Sequence, residues 1–400
     1  MLGDIGALIR RTVKGIPPPL LWAVAIFSYG LSLFVIGRHP AQGRDLFPVW
    51  TAVHAFLHHQ TPYTVRLFVY PPSLLLLASP LELVGFDKAR LVFLIIDAAA
   101  MVVAGGLCLR LFKLRVRSTA GAAMLLALAL FLPVRDTLVT DNVNGLILVG
   151  ETGALLAASR NRWLFAGVLL GCTLAVKPVL APLLLLPLLY RRWTAFGVAV
   201  AIPAVLSAAA FPLIVGGGQF FTHTVPFLLN GNASDLQLIN VSLAGVATRL
   251  ELPAALALPV RLLVLGVASL CLWWRWRAKG DETGRLVELS GLILLATFLD
   301  FSFSWSYYPL YLLPLLVWML NRRSGLRPWL TWIGMYCIGG PDVWYWSYVI
   351  PQGFNLGMLR ITAGCLLLLA AIYLGLRHRA SYAAMRRDAV STRAASELSA

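Results

Sequence analysis

Apolar segments of roughly 18 residues or more recur along the whole chain, each able to cross the hydrocarbon core of a bilayer as an α-helix. That recurrence constrains the fold before any motif is read. Lipid gives backbone N–H and C=O groups no outside partners, so helices are the default way across. The composition agrees, with 59% of the 400 residues hydrophobic and 12% charged. The expectation is an all-α polytopic membrane protein. Residues 16–37 form its first span. They are too long and uninterrupted for a cleaved signal peptide, and no small-residue cleavage site follows, so they read as a retained anchor.

The net charge of +16 would suit a nucleic-acid partner, but its distribution excludes one. Basic residues gather in short runs between the apolar spans, such as Arg110/Lys113/Arg115/Arg117, Arg191/Arg192 and Arg322/Arg323/Arg327, and seven such runs hold 23 of the 33 Lys and Arg. This is the positive-inside pattern, which assigns these loops to the cytoplasm. If each run is inside, the stretch Tyr70 to Val84, broken by Pro71, Pro72 and Pro80, does not count as a crossing. It reads as an interfacial or re-entrant helix within a long first outer loop, residues 38–88. Further spans are expected at about 89–111, 118–133, 143–159, 163–177, 179–190, 194–215, 253–274, 286–301, 307–320, 328–340 and 357–376, making twelve crossings with both termini inside. Residues 1–377 then form a single membrane domain, followed by a basic, Ser- and Ala-rich tail, 378–400, expected to be disordered.

Polar residues that are not topology signals collect on the outer side, so a functional cavity is expected to open there, at the extracytoplasmic face of the cytoplasmic membrane. Asp45 sits in Gly43-Arg44-Asp45-Leu46-Phe47-Pro48-Val49-Trp50, ahead of apolar residues Trp50, Val53, Phe56 and Leu57 at helical spacing. A carboxylate there reads either as a helix cap or as a base that deprotonates a hydroxyl at the water–lipid boundary. His54, His58 and His59 lie near the polar side of the same helix; they resemble a metal site only weakly, since His58 and His59 are adjacent and face different ways, and they read as surface histidines. No metal and no cofactor is expected. Tyr63, Arg66 and Tyr70 follow, with the Tyr and Arg placed to meet a sugar or phosphate.

Asp141-Asn142-Val143-Asn144 opens a later span. Capping explains one or two of these groups, and contact with sugar hydroxyls explains the cluster as well. Lys177-Pro178 falls at the outer end of a span, where a lysine must snorkel, pair or bind an anion. A lipid-linked phosphate suits its point charge. His223, in Gly216-Gly217-Gly218-Gln219-Phe220-Phe221-Thr222-His223, reads equally as a phosphate ligand or a structural residue. The glycines lack the strand, Lys-Ser/Thr and helix of a phosphate loop. Asn232-Ala233-Ser234 and Asn240-Val241-Ser242 match the glycosylation pattern, which matters only in a host that glycosylates there. Five cysteines lie singly in apolar spans, without metal or redox spacing. No Walker, Rossmann, Ser-His-Asp or zinc motif is present, which argues against ATP-driven transport and cytoplasmic nucleotide-sugar chemistry. A flippase or transporter predicts matched broken helices in two halves, and the sequence has no such repeat.

Taken in order, Asp45-Leu46-Phe47-Pro48-Val49-Trp50, Tyr70-Pro71-Pro72, Asn142-Val143-Asn144-Gly145, Val176-Lys177-Pro178 through Tyr190-Arg191, Phe220 to Pro226 and Tyr307-Tyr308 resemble the GT-C polyprenyl-phosphate glycosyltransferases of family 87. Within that family the resemblance is to the mycobacterial enzymes that branch arabinan. It implies a GT-C-like bundle, with Asp45 at the position of the catalytic aspartate of the first outer loop. It also implies an inverting transfer of an arabinofuranosyl unit from decaprenylphosphoryl-arabinofuranose to an arabinan of arabinogalactan or lipoarabinomannan, forming α-1,3 branches. Lys177, Arg66 and His223 would offset the donor phosphate, while Arg44, Tyr63, Tyr70, Asp141, Asn142, Asn144, Tyr307 and Tyr308 would contact substrate. The family pattern has an acidic pair where this chain reads Arg44-Asp45, leaving one carboxylate. A mannosyltransferase using polyprenyl-phosphate mannose shares the architecture and the base, and is the competing expectation.

Overall fold

The computed structural model describes residues 17–39, 42–230, 240–278, 280–321, 324, 328–340 and 356–398. Among the described residues every regular element is helical, and there is no strand. Most of the segments expected as spans are helices: α1 (Pro18–Ile36) comes first, then, after the shorter α2 (Leu46–Leu57) and α3 (Pro72–Ala78), the long α4 (Phe86–Leu111). α5 (Thr119–Leu130) and α6 (Leu132–Thr140) meet at a 59° bend. The bend falls at Phe131-Leu132-Pro133 because proline is tolerated in the first turn of a new helix but not inside a continuing one. α7 (Asn144–Ser159), α8 (Trp163–Val176), α9 (Leu185–Leu189) and α10 (Trp193–Ala210) follow, with a 3₁₀ stretch, Pro178–Leu184, between α8 and α9. The second half holds α11 (Val225–Asn230), α12 (Leu243–Arg249), α13 (Ala254–Arg277) and α14 (Glu282–Asp300). A 3₁₀ turn (Tyr308–Leu312) then leads into α15 (Leu313–Met319), followed by α16 (Pro328–Gly339) and α17 (Leu356–Leu398).

By length and composition five of these helices can cross a membrane, or six if the bent α5–α6 pair is one span. Among the described residues, five or six of the twelve expected crossings are full-length apolar helices. Proline is the reason in the middle of the chain: Pro178, Pro182 and Pro309 convert expected spans into 3₁₀ turns followed by short helices. The protein is a multi-pass membrane protein. Its last helix also continues as helical main chain through Leu398, where composition predicted a disordered tail. Ala and Arg, abundant there, are both strong helix formers.

One large core runs through the bundle, built from α4, α7, α8, α14 and α17 side chains such as Met101, Leu148, Leu170, Leu292 and Leu368. A smaller second core joins α2 and α3 to the end of α10, through Val49, Val53, Phe56, Tyr70, Leu75 and Ile214. α2 and α3 are thus packed into the protein and do not lie as free interfacial elements. Ser73 of α3 is fully buried and donates from Oγ to the carbonyl of Ala175 at 2.5 Å, tying α3 to the end of α8. The packing between α4 and α7 also requires a glycine. A Cβ on Gly145 would sit 2.7 Å from the Asp97 carbonyl oxygen, so only a residue without a side chain lets the two helices approach.

Candidate active site

Three breaks in regular structure deliver the polar residues to one place. Asp45 stands at the first turn of α2, where a helix cap was one reading of its carboxylate. Its side chain makes no cap hydrogen bond. The backbone N–H instead donates to the Thr140 carbonyl at 2.9 Å, which pins the start of α2 to the end of α6. The carboxylate is thereby free to face inward. Asp141 ends α6 in the left-handed conformation, φ 52°, which Asp tolerates better than most side chains. The reversal turns Asn142 and Asn144 toward the interior at the head of α7. Lys177 is extended (φ −151°, ψ 117°) because Pro178 disfavours helical geometry in the residue before it. The helix stops one residue short, and the lysine points inward.

The result is a continuous hydrogen-bonded chain. Asn142 Nδ2 donates to Asp45 Oδ2 at 2.7 Å, and Tyr307 OH donates to the same oxygen at 2.9 Å. Lys177 Nζ donates to Asn142 Oδ1 at 3.0 Å and to Asn144 Oδ1 at 2.9 Å. Tyr311 OH donates to Asn144 Oδ1 at 2.7 Å, and Asn144 Nδ2 reaches Thr137 Oγ1 at 3.3 Å. The ammonium lies 5.2 and 5.3 Å from the ring centres of Tyr307 and Tyr308, within cation–π range. Lys177, Asn142 and Asn144 are all buried. An ammonium has three protons to donate, and two are used here, so one donor remains for a ligand.

This network forms one wall of a cavity of about 330 Å³. Arg44, Asp45, Tyr70, Asn142, Lys177, Tyr307 and Tyr308 supply its polar and aromatic side, while Phe298, Phe301, Phe303, Trp305, Phe227 and Leu228 supply an apolar one. Burial pushes the Tyr70 phenol above its ordinary range, with the Asp45 charge adding to the effect, so it stays a hydrogen-bond donor. Asp141 lies behind this wall against Leu46, Leu74 and Val143. Both its carboxylate oxygens lack a hydrogen-bond partner. Burial raises its pKa to about 7, against the pull of Arg90 and with the help of the Asp45 charge.

Of the residues singled out from the sequence, Asp45, Arg44, Tyr70, Asn142, Lys177, Tyr307 and Tyr308 meet at the cavity, and Asn144 stands directly behind it. Tyr63 is buried one layer back, its hydroxyl 3.5 Å from the Tyr70 carbonyl. Arg66 and His223 are exposed and line no part of the cavity wall, so the structure does not bring them to Lys177. Asn240 is fully buried, with its side chain bonded to the Ser302 carbonyl and the Ser242 and Ser304 amides, which removes it as a glycosylation acceptor. Asn232 falls outside the described residues. Sequence reasoning missed Tyr311, although its position four residues after Tyr307 was a usable signal. It also missed Thr137, the buried Asp97 whose Oδ1 accepts from the Gly145 amide at 2.8 Å, and the aromatic wall. No local pattern marks those three.

A multi-pass helical membrane protein with a carboxylate, a buried lysine and carboxamides facing an aromatic-walled cavity is built to act on a polar group carried by an apolar one. Residues 68–302 match Glycosyltransferase family 87, and the chain belongs to that family of glycosyltransferases. It is 34% identical over 364 residues to the alpha-(1->3)-arabinofuranosyltransferase of Mycobacterium tuberculosis (strain H37Rv), spanning 88% of this chain and 83% of that protein. The protein of the same name from Mycolicibacterium smegmatis is 33% identical over 365 residues, 88% of this chain and 84% of its own. A polyprenol-phosphate-mannose-dependent alpha-(1-2)-phosphatidylinositol pentamannoside mannosyltransferase of M. tuberculosis is 28% identical over 319 residues, 74% of this chain and 69% of its own.

Proposed function

We propose that this chain transfers an arabinofuranosyl unit from decaprenylphosphoryl-arabinofuranose to the arabinan of arabinogalactan or lipoarabinomannan, with inversion and formation of α-1,3 branches. The site faces the extracytoplasmic side of the cytoplasmic membrane, in a GT-C-like bundle whose short helices complete further crossings. The observation that carries the reaction type is the single carboxylate of Asp45, hydrogen-bonded through one amide to a buried lysine at an apolar-walled cavity. The choice of an arabinofuranosyl donor over a mannosyl one rests on the higher identity and coverage of the relatives named arabinofuranosyltransferase.

Both hydrogen bonds that Asp45 accepts from Asn142 and Tyr307 fall on Oδ2. Oδ1 takes the proton of the acceptor hydroxyl as that oxygen forms a bond to the anomeric carbon. The bond from the anomeric carbon to the phosphate oxygen breaks, and its electron pair leaves with the polyprenyl phosphate. Lys177 supplies its remaining proton donor and its charge to that phosphate, an electrostatic contribution available only in a water-poor setting. Asn142 holds the carboxylate base and the cation in register. The aromatic wall takes the first apolar units of the lipid.

The test is transfer by the purified protein from each of two labelled donors, decaprenylphosphoryl-arabinofuranose and polyprenyl-phosphate mannose, to a synthetic arabinan oligomer. Arabinose incorporation with 1,3-linked product is expected. Mannose incorporation alone would overturn the donor assignment. Labelling of Arg44→Cys by a membrane-impermeant thiol reagent on intact cells tests the side.

A further inference from the structure

Away from the cavity, His54, His58 and Glu82 form a second cluster. His54 lies in the last turn of α2 and His58 is its C-cap residue four positions on, so the two rings meet on one side of the helix end. Glu82 reaches them from the 3₁₀ turn Ser79–Leu83 that follows α3. His54 Nδ1 lies 2.6 Å from Glu82 Oε1, the two imidazole centres are 4.1 Å apart, and one donor atom from each of the three residues falls within 4.8 Å of the others. Trp50 stacks on His54 at 5.6 Å and holds the ring in place. Glu82 Oε2 is buried and has no hydrogen-bond partner, so the carboxylate is only half used by the contact with His54.

We infer that His54, His58 and Glu82 bind a divalent transition cation of the Zn²⁺ class. Two imidazoles and one carboxylate are a donor set that such ions prefer. Ligand atoms about 2.0–2.2 Å from a tetrahedral ion sit about 3.4 Å from one another. His58 Nδ1 is hydrogen-bonded to the His54 carbonyl at 2.9 Å, which leaves Nε2 as its ligand atom, and the donor atoms, now within 4.8 Å of one another, close to that spacing on binding. The cation takes the place of the proton between His54 Nδ1 and Glu82 Oε1, and that proton leaves to solvent. Three protein ligands leave the fourth position to water. In the chain this site clamps α2, which begins directly after Asp45, to the turn that follows α3. The role is therefore structural support of the loop that carries the carboxylate, and it stands apart from the glycosyl-transfer reading.

The test uses the full chain in detergent micelles with any affinity tag removed, titrated with Zn²⁺ against a chromophoric chelator. One Zn²⁺ per chain is expected, together with a higher unfolding midpoint for the Zn²⁺-loaded protein. Glu82→Gln keeps the hydrogen bond to His54 and removes the charge, and His58→Ala alters an exposed residue; each is expected to weaken binding at least tenfold. His59→Ala, on the adjacent but differently directed histidine, is expected to bind as the parent does. Co²⁺ in the parent protein is expected to show the ligand-field absorption of a low-coordinate nitrogen and oxygen site, lost in Glu82→Gln. Equal Zn²⁺ affinity in the parent, Glu82→Gln and His58→Ala proteins would overturn the assignment, as would the absence of any binding at micromolar Zn²⁺.

Discussion

The pair Arg275–Glu288 and the pair Lys177–Asp45 both hold opposite charges away from bulk solvent, the first fully buried and the second with Lys177 buried and Asp45 partly so, and they do so in opposite ways. Arg275 is 3% exposed and Glu288 is not exposed at all. The guanidinium Nε donates directly to Glu288 Oε2, and Trp318 Nε1 donates to Oε1 at 2.6 Å. No cavity residue is involved, so the charges neutralise each other and join α13, α14 and α15. Lys177 and Asp45 do not touch. Asn142 stands between them, each end of its amide taken by one of the charges, and both charges border the cavity with bonding capacity left over. A direct and fully used pair is a structural device, because removing either partner strands the other in low dielectric. A separated pair bridged by a neutral amide at a cavity keeps both charges available for a ligand, and that separation is what a site of group transfer requires.

The largest test of this contrast is Asp45→Asn. It is expected to lower turnover by about 10²–10⁴-fold, the range for loss of general-base assistance, with an unfolding midpoint close to that of the parent. Near-parental turnover would remove Asp45 from the mechanism. Glu288→Gln is expected to do the reverse, leaving activity per folded molecule unchanged while destabilising the protein by about 3–5 kcal/mol, the cost of an uncompensated buried charge. A lowered unfolding midpoint in detergent reads this out, and the double variant Arg275→Met/Glu288→Leu is expected to recover most of it. Lys177→Met sharpens the comparison. If the lysine serves a leaving phosphate, turnover falls by about 10²–10³-fold with a stability loss of only about 1–3 kcal/mol, from two amide oxygens left without their donor. A stability loss with unchanged turnover would place Lys177 beside Arg275 as a structural charge.

The smallest effect concerns Asp141. Its ordinary pKa of 3.8 is raised to about 7 in the folded protein. Between those values the unfolded chain has released this proton and the folded chain still holds it. Stability is therefore expected to fall as pH rises from about 4 to about 7 and to level off beyond, the sign required when the native state binds more protons. Asp141→Asn is expected to flatten this part of the stability profile measured by denaturant or thermal unfolding.

The helical segments were legible from hydropathy, and the breaks were partly so. Pro71, Pro72 and Pro80 marked α3 as something other than a crossing, yet its burial against the end of α8 through Ser73 needed the fold. Pro178 flagged a helix end at Lys177, and the polar cluster 141–144 was visible as a cluster. Arg66 and His223 differ from Lys177 only in where the fold places them. Side of membrane and residue type made them equal to Lys177 as phosphate ligands, and neither reaches the cavity. The histidines next to α2 illustrate the same limit. Adjacency of His58 and His59 made them read as surface residues, and the proximity of His54 and His58 to Glu82, 24 residues further on than His58, is set by the fold.

By itself the sequence determined that this chain is a helical membrane protein with its spare polar groups in a few loops, because hydropathy and charge act over one span at a time and are written in consecutive residues. Only the tertiary structure decided which of those groups form the site. Asp45, Asn142, Lys177 and Tyr307 are separated by 97, 35 and 130 positions, and a hydrogen bond is decided by tenths of an ångström between chains of packed helices. No local pattern carries that information.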